Sequence, residues 1–333
     1  MNLSPDPGAD RLVVIEPEQA PAMRSLFASV FGHAMSAEHW TWKYVQGQGR
    51  GAGLLRDGVM LAHYGGVARR IAYFGQAQRA CQVCDVMVEP SANRALVRRG
   101  PLYKVAAAFL EAEVGLGRPH LVAFGFPSAR HHAVAKRLGL YDQVDEVVRV
   151  SWPGAQGDVE HRVGLRPMGQ TGTCFDASDR KVVDRLWRQM ALGFQANILG
   201  VRDADWLQYR YLQHPQLKYE MLLVHSRWLR RPLGALVFRR HPDHLHWLDW
   251  IGPPETIHIL LAVVRHLAAA SGLGRVDAWI TRSQLHRLVR QNDQDATVVD
   301  LQIPLPTIVH TLGPALDTLR DRWFLTAGDA DFT

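Results

Sequence analysis

Asp85 and Glu89 lie four residues apart in Cys84-Asp-Val-Met-Val-Glu-Pro90, an apolar run closed by proline. Burial in such a run desolvates a carboxylate and raises its pKa toward the range where it accepts a proton from an amine. Asp85 is thus a candidate general base, with Glu89 at the strand end as the solvated alternative. A structural acid is the competing reading, because Asp249 stands at the matching place of a later, similar run. His63 and Tyr64, in Leu61-Ala-His-Tyr-Gly-Gly66, either line an acceptor cleft or form a half-buried strand pair; the glycines permit close approach. Farther on, Arg94, Arg98 and Arg99 precede Gly100-Pro101 and a helically spaced run, "LYKVAAAFLEAEV". Proline suits the first helical position, and a helix start presents free N–H groups and partial positive charge. Three guanidinium groups beside it suit a phosphorylated ligand; a solvated basic loop is the alternative.

Other reactive residues form weaker patterns. Cys81 and Cys84 make a C-x-x-C on a strand, where residues three apart face opposite sides, so they read as buried structural thiols. His244 and His246 share a strand face without an evident third ligand, and no metal site is expected. Trp40, Trp42 and Tyr44 read as core or lid of a short amphipathic helix. Asp329 and Asp331, after "WFLTAG", are candidate amine-binding carboxylates if the tail enters a cleft.

Such groups need a scaffold, and 333 residues exceed what one core usually supports, so two domains are expected. Hydrophobic content of 47% and charged content of 21% describe an ordinary globular chain. The +6 net charge suits an anionic small ligand as well as RNA, but long basic runs are lacking. The start, "MNLSPDPGAD", is polar and turn-rich, and the most apolar helical run, "IHILLAVVRHLAAASG", is interrupted by His258, Arg265 and His266. The expectation is a cytoplasmic protein without membrane contact.

The scaffold is written twice. Gly115-Leu-Gly-Arg118 recurs as Gly272-Leu-Gly-Arg275, each before an apolar strand and a basic, His-containing helix. Upstream, Asp85-Val-Met-Val-Glu-Pro90 matches Asp249-Trp-Ile-Gly-Pro-Pro254, and Trp42-Lys-Tyr44 matches Tyr209-Arg-Tyr211. Landmarks in one order argue for a duplicated domain. The first copy reads β-α-α-β-β-β-α-β-α-β, which implies for each copy a mixed, mainly antiparallel sheet flanked by helices, an α/β (α+β) class. The domains are expected at 1–152 and 161–333, with 153–160 as linker and Asp176 or Ser178 capping the first helix of the second copy. The second copy is shorter after its Asp/Pro strand; its loop, "PPETIHIL", has neither Arg nor Gly. Anion binding therefore belongs to the first copy.

This order, with a phosphate-type loop after the fourth strand, resembles the GNAT superfamily of acyl-CoA N-acyltransferases over nearly the whole chain as a tandem pair. More narrowly it resembles two-domain GNAT proteins found with bacterial polysaccharide and secondary-metabolite genes, through "FGHAMSAEHWTWKY", "CDVMVEP", "FGFPSARHHAVAKRLGLY" and "WFLTAGDADF". The resemblance implies acetyl-CoA or another acyl-CoA as co-substrate and a small-molecule primary amine, such as an amino sugar or amino acid derivative, as acceptor. It implies a backbone amide at Met87 or Val88 facing the developing oxyanion. It also implies a pyrophosphate grip by Arg94, Arg98, Arg99, Gly100, Leu102 and Tyr103. The nearest match to the family's loop signature, Val97-Arg-Arg-Gly100-Pro-Leu102, lacks the opening Gln/Arg and the final small residue. Where the family's usual acid Tyr would stand, this chain has Ala135, leaving Tyr141, Tyr103 or water for that role. Two alternatives share the layout: an aminoacyl-tRNA-dependent transferase, and a non-catalytic binding or scaffold protein.

Overall fold

The computed structural model describes residues 9–92, 100–157, 159–291 and 293–331. The chain divides into two compact units, one of Met1–Arg69, Gln78–Val144 and Pro304–Thr318, the other of Arg70–Ala77, Asp145–Ile303 and Leu319–Thr333. These units are drawn from interleaved segments, whereas the sequence suggested one contiguous cut at 153–160.

The first unit carries β1 (Arg11–Val14), α1 (Ala20–Phe31), α2 (Ala37–Trp40), β2 (Arg50–Arg56), β3 (Val59–Tyr73) and β4 (Gln76–Val88). There follow α3 (Pro101–Glu113), β5 (Val122–Phe124) and α4 (Ala129–Arg137), and then β6 (Tyr141–Pro153), which from Asp145 on belongs to the second unit. Its sheet has the order β1-β2-β3-β4-β5, with β1–β2 and β2–β3 antiparallel and β4–β5 parallel. Apolar residues fill both faces. Met23, Leu26, Trp40, Tyr44, Met60 and Met87 pack on the α1–α2 side, and Leu54, Tyr64, Val105, Phe109 and Leu138 on the α3–α4 side. Each such side chain taken from water contributes about 1.5–3 kcal/mol. Pro101 does open α3, with Gly100 as its N-cap.

After α5 (Val159–Arg162), the second unit repeats the plan with β7 (Val163–Gln170), α6 (Ala177–Leu192), β8 (Ile198–Gly200), α7 (Ala204–Leu207), β9 (Glu220–Ser226), β10 (Pro232–Arg240) and β11 (His244–Ile251). It closes with α8 (Ile257–Ala270), β12 (Arg275–Thr281), β13 (Thr297–Ile308) and β14 (Trp323–Phe324). The sheet order is β13-β6-β12-β11-β10-β9-β7, and β11–β12 is the parallel pair that corresponds to β4–β5. Strand β8 is extra and pairs with Ile71–Tyr73 and with β14. Asp176 is the cap of α6, accepting from Asp179 N at 2.7 Å.

Two rare features recur at matching places. Ser36 caps α2, which runs into a π-helix at Thr41–Gln46. Asp203 caps α7, which runs into a π-helix at Gln208–Leu212. π-Helices are well under 1% of residues, so two in register extend the duplication beyond its sequence landmarks. One expected helix fails: "RSQLHRLVRQ" gives only a 3-10 segment, Arg282–Arg287. The preceding Thr281 donates its hydroxyl to Trp323 O at 2.7 Å and so does not cap a helix start.

Candidate active site

Strand β4 has one residue of unusual backbone where the chemistry was expected. Asp85 has φ 50°, a left-handed conformation that aspartate tolerates better than most residues. Lys43 Nζ donates to its Oδ1 at 2.8 Å, and Tyr44 OH to its Oδ2 at 2.7 Å. Consecutive residues of a regular α-helix do not face one partner; the wider π-turn allows both to reach the same carboxylate. Burial alone would raise the Asp85 carboxyl, but the Lys43 ammonium and these hydrogen bonds hold it below the ordinary carboxylate value. The sequence reading of a raised pKa is therefore corrected. It counted the apolar neighbours and missed the lysine.

His63 completes the group. Its Nδ1 lies 2.6 Å from Asp85 O, a carbonyl that only accepts, so Nδ1 carries the proton and Nε2 the lone pair. Burial lowers the imidazole pKa more than Asp85 raises it, which keeps the ring neutral. The ring occupies a slot between glycines. A Cβ at Gly51 would fall 2.6 Å from Nε2, and one at Gly65 would fall 2.6 Å from Cε1 and 2.9 Å from Tyr44 OH. The close approach that the glycines permit is thus by the unit's own imidazole and phenol.

The other expected residues are more dispersed. Glu89, at the end of β4, accepts from Ser29 Oγ at 2.9 Å at an exposed site. Met87 is buried and Val88 half-buried on the same strand. Tyr141 is not near solvent: its hydroxyl is hydrogen-bonded to Tyr64 OH in the α3–α4 core, and burial pushes its pKa up. Gly100 is buried at the α3 start, Leu102 and Tyr103 are half-buried in the first turn, and the Tyr103 ring meets His310 edge-on at 5.9 Å. Arg94, Arg98 and Arg99 lie outside the described residues. Among the described residues, strands β4 and β5 pair at Ala80–Gln82 with Val122–Phe124. Strand β4 runs on to Val88, six residues beyond its last pairing with β5 at Gln82, and Asp85 lies in that stretch. An apolar depression lined by Leu12, Ala52, Ala108 and Phe109 includes none of the candidate residues.

Trp40, Trp42 and Tyr44 are buried, with the Trp40 and Tyr44 rings stacked at 5.5 Å. Lys43 went unnoticed in the sequence because the aromatic residues around it drew the reading. Its one signal was the repeat, which places Arg210 opposite it. Cys81 and Cys84 are buried free thiols, as expected.

In the second unit the matching place is closed. Tyr211 OH donates to Asp249 Oδ2 at 3.1 Å, repeating Tyr44 and Asp85. The cation there is Arg202, whose Nε is 2.8 Å from Asp249 Oδ1 and whose Nη2 is 2.5 Å from Asp329 Oδ2. Arg210 instead holds the tail backbone, donating to Gly328 O at 3.2 Å and Ala330 O at 2.6 Å. Gly328 lies so close that a Cβ would fall 2.1 Å from Tyr211 OH. The tail at Ala327–Asp329 fills this pocket, and Asp329 is spent on Arg202, not offered to an amine.

No protein-family model matches the chain, and no curated protein matches it in sequence. Solved structures match its fold. A conserved protein of unknown function from Enterococcus faecalis, described as a probable N-acyltransferase, is 15% identical with TM-score 0.66, over 91% of this chain and 73% of that one. A GCN5-related N-acetyltransferase from Kribbella flavida is 19% identical with TM-score 0.63, over 90% and 71%. Saccharomyces cerevisiae N-myristoyltransferase, solved with myristoyl-CoA, is 9% identical with TM-score 0.53, over 100% and 92%. The chain has the GNAT fold, a mixed α/β architecture of two helix-flanked sheets.

Proposed function

We propose that this GNAT-fold chain is an N-acyltransferase that moves an acetyl or other acyl group from an acyl-CoA thioester to a primary amine of a small molecule, such as an amino sugar or amino acid derivative. The observation that carries this reading is the GNAT fold, whose solved neighbours are described as N-acyltransferases, with the Lys43–Asp85–Tyr44 group buried near the end of β4. In the proposed reaction the amine nitrogen attacks the thioester carbonyl, the C–S bond breaks, an amide forms and the thiolate takes up a proton. The amide N–H of Met87 or Val88 stabilises the oxyanion. The start of α3 at Gly100, with Leu102, Tyr103 and the arginines Arg94, Arg98 and Arg99, holds the pyrophosphate.

Asp85 serves this chemistry as a positioning residue. Both its oxygens are occupied and its carboxyl is held ionised, so it fixes the left-handed backbone at Asp85 ahead of the strand end. Glu89 is the solvent-facing carboxylate at that end, and the amine's proton goes to it. With Tyr141 bound to Tyr64, the thiolate's proton comes from Tyr103 or water.

One observation favours a binding protein without turnover: Ala135, buried in α4, stands where the family's acid would be. The test is a thermal-shift series of acyl-CoA thioesters followed by amine-dependent thiol release. Stabilisation with turnover supports the transferase, and stabilisation without turnover for any amine supports the binding protein. No stabilisation by any acyl-CoA overturns both.

A further inference from the structure

The β10–β11 turn carries a group of imidazoles that the proposed transfer does not use. His241 and His244 are the ends of the turn His241-Pro-Asp-His244, closed by His241 N donating to His244 O at 2.9 Å. Their rings stack with centroids 4.5 Å apart and an interplanar angle of 3°. His246 follows two residues on, hence on the same strand face as His244. Its ring lies 6.0 Å from His241 and 6.2 Å from His244. In β12, Asp277 stands beside His246 in the parallel register. The sequence offered two of these imidazoles; the turn supplies the third.

We propose that His241, His244 and His246, with Asp277 as fourth ligand, form a binding site for a divalent transition-metal ion of the zinc class in the second unit. Three imidazoles on a tetrahedral zinc, with Zn–N near 2.0–2.1 Å, have ring centroids about 5 Å apart; the observed 4.5, 6.0 and 6.2 Å lie within about 1 Å of that, and the parallel His241 and His244 rings unstack to ligate. His244 Nε2 and Asp277 Oδ2 are 3.8 Å apart, against about 3.3 Å for two ligands of one tetrahedral ion. His244 Nδ1 bonds to Asp243 Oδ1 at 2.8 Å, the carboxylate support that leaves Nε2 as the ligand atom. Asp277 is itself oriented by Ser151 Oγ, which donates to Oδ1 at 2.7 Å, and by Arg275 Nε, which is shared between Oδ1 at 3.1 Å and Oδ2 at 3.2 Å.

The second, independent observation is at His246. It is only 8% exposed, and its Nε2 and that of His241 are buried with no hydrogen-bond partner among the described residues. An unpaired buried ring nitrogen is costly, and a metal ion bound to its lone pair satisfies it. Binding requires the His241 and His246 rings to turn about their Cβ–Cγ bonds, a torsion that is soft for histidine.

The test uses the full chain without an affinity tag, stripped with chelator and titrated with Co²⁺ and then Zn²⁺. The expected result is one ion per chain, a tetrahedral Co²⁺ spectrum without thiolate charge transfer, and a rise in melting temperature with Zn²⁺. Asp243→Asn weakens Zn²⁺ binding by about 10- to 100-fold, as for loss of an outer carboxylate. The double variant His241→Ala/His244→Ala abolishes it, whereas His286→Ala, an exposed histidine elsewhere, leaves it intact. Because both replaced residues of the double variant are only half-buried, the test stands even where His246→Ala fails to fold. Absence of stoichiometric binding, a thiolate band, or unchanged affinity in the double variant overturns the proposal.

Discussion

Lys43 Nζ stands 2.8 Å from Asp85 Oδ1, and the two side chains are 4% and 5% exposed. Removing one partner of a buried pair leaves the other charge unpaired, which costs about 3–5 kcal/mol. Lys43→Met is therefore expected to lose about that much in urea denaturation. Lys43→Met/Asp85→Asn should recover part of the loss, because the stranded charge is gone. Equal losses in the single and double variants would show that the pair is not the cause.

The pH dependence separates His63 from Asp85. The folded pKa of His63 is lowered, so the unfolded chain binds a proton first as pH falls below about 6.5, and stability drops from there toward the folded value. The Asp85 carboxyl is also lowered, so its contribution is present above about pH 3.9 and is lost as pH falls through its folded value. Of the two, His63 governs the weakly acidic range. His63→Gln should flatten the fall in melting temperature between pH 6.5 and about pH 4, without reversing the loss at lower pH. A variant with the full wild-type slope would contradict the assignment.

Asp249 tests whether the two copies divide their labour. Its pocket holds Arg202 and the chain's own tail, so Asp249→Asn should lower stability by a few kcal/mol at most while acyl-CoA affinity is unchanged. A fall in acyl-CoA affinity at constant stability would place ligand binding in the second unit.

Much of this architecture was legible in the sequence because it was written twice. Asp85 and Asp249, and Tyr44 and Tyr211, marked the same place in each copy, and each phenol does reach its aspartate. The electrostatics were not legible. Lys43 meets Asp85 across 42 residues, and Arg202, not the aligned Arg210, meets Asp249 across 47. Such pairings depend on which side chains a π-turn or a loop directs inward, and periodicity does not report that. His241 escaped notice for a related reason: a turn, not a strand alternation, brings it to His244 and His246.

The most direct measurement is acyl-CoA affinity in the wild type and in Arg98→Ala/Arg99→Ala, by calorimetry on the full chain. The account predicts binding by the wild type and a loss of about 1–3 kcal/mol in the variant, because charge-assisted phosphate contacts are removed. His258→Ala/Arg265→Ala, at the corresponding helix of the second unit, should bind as the wild type does. Equal losses in both variants, or no acyl-CoA binding by the wild type, would contradict it.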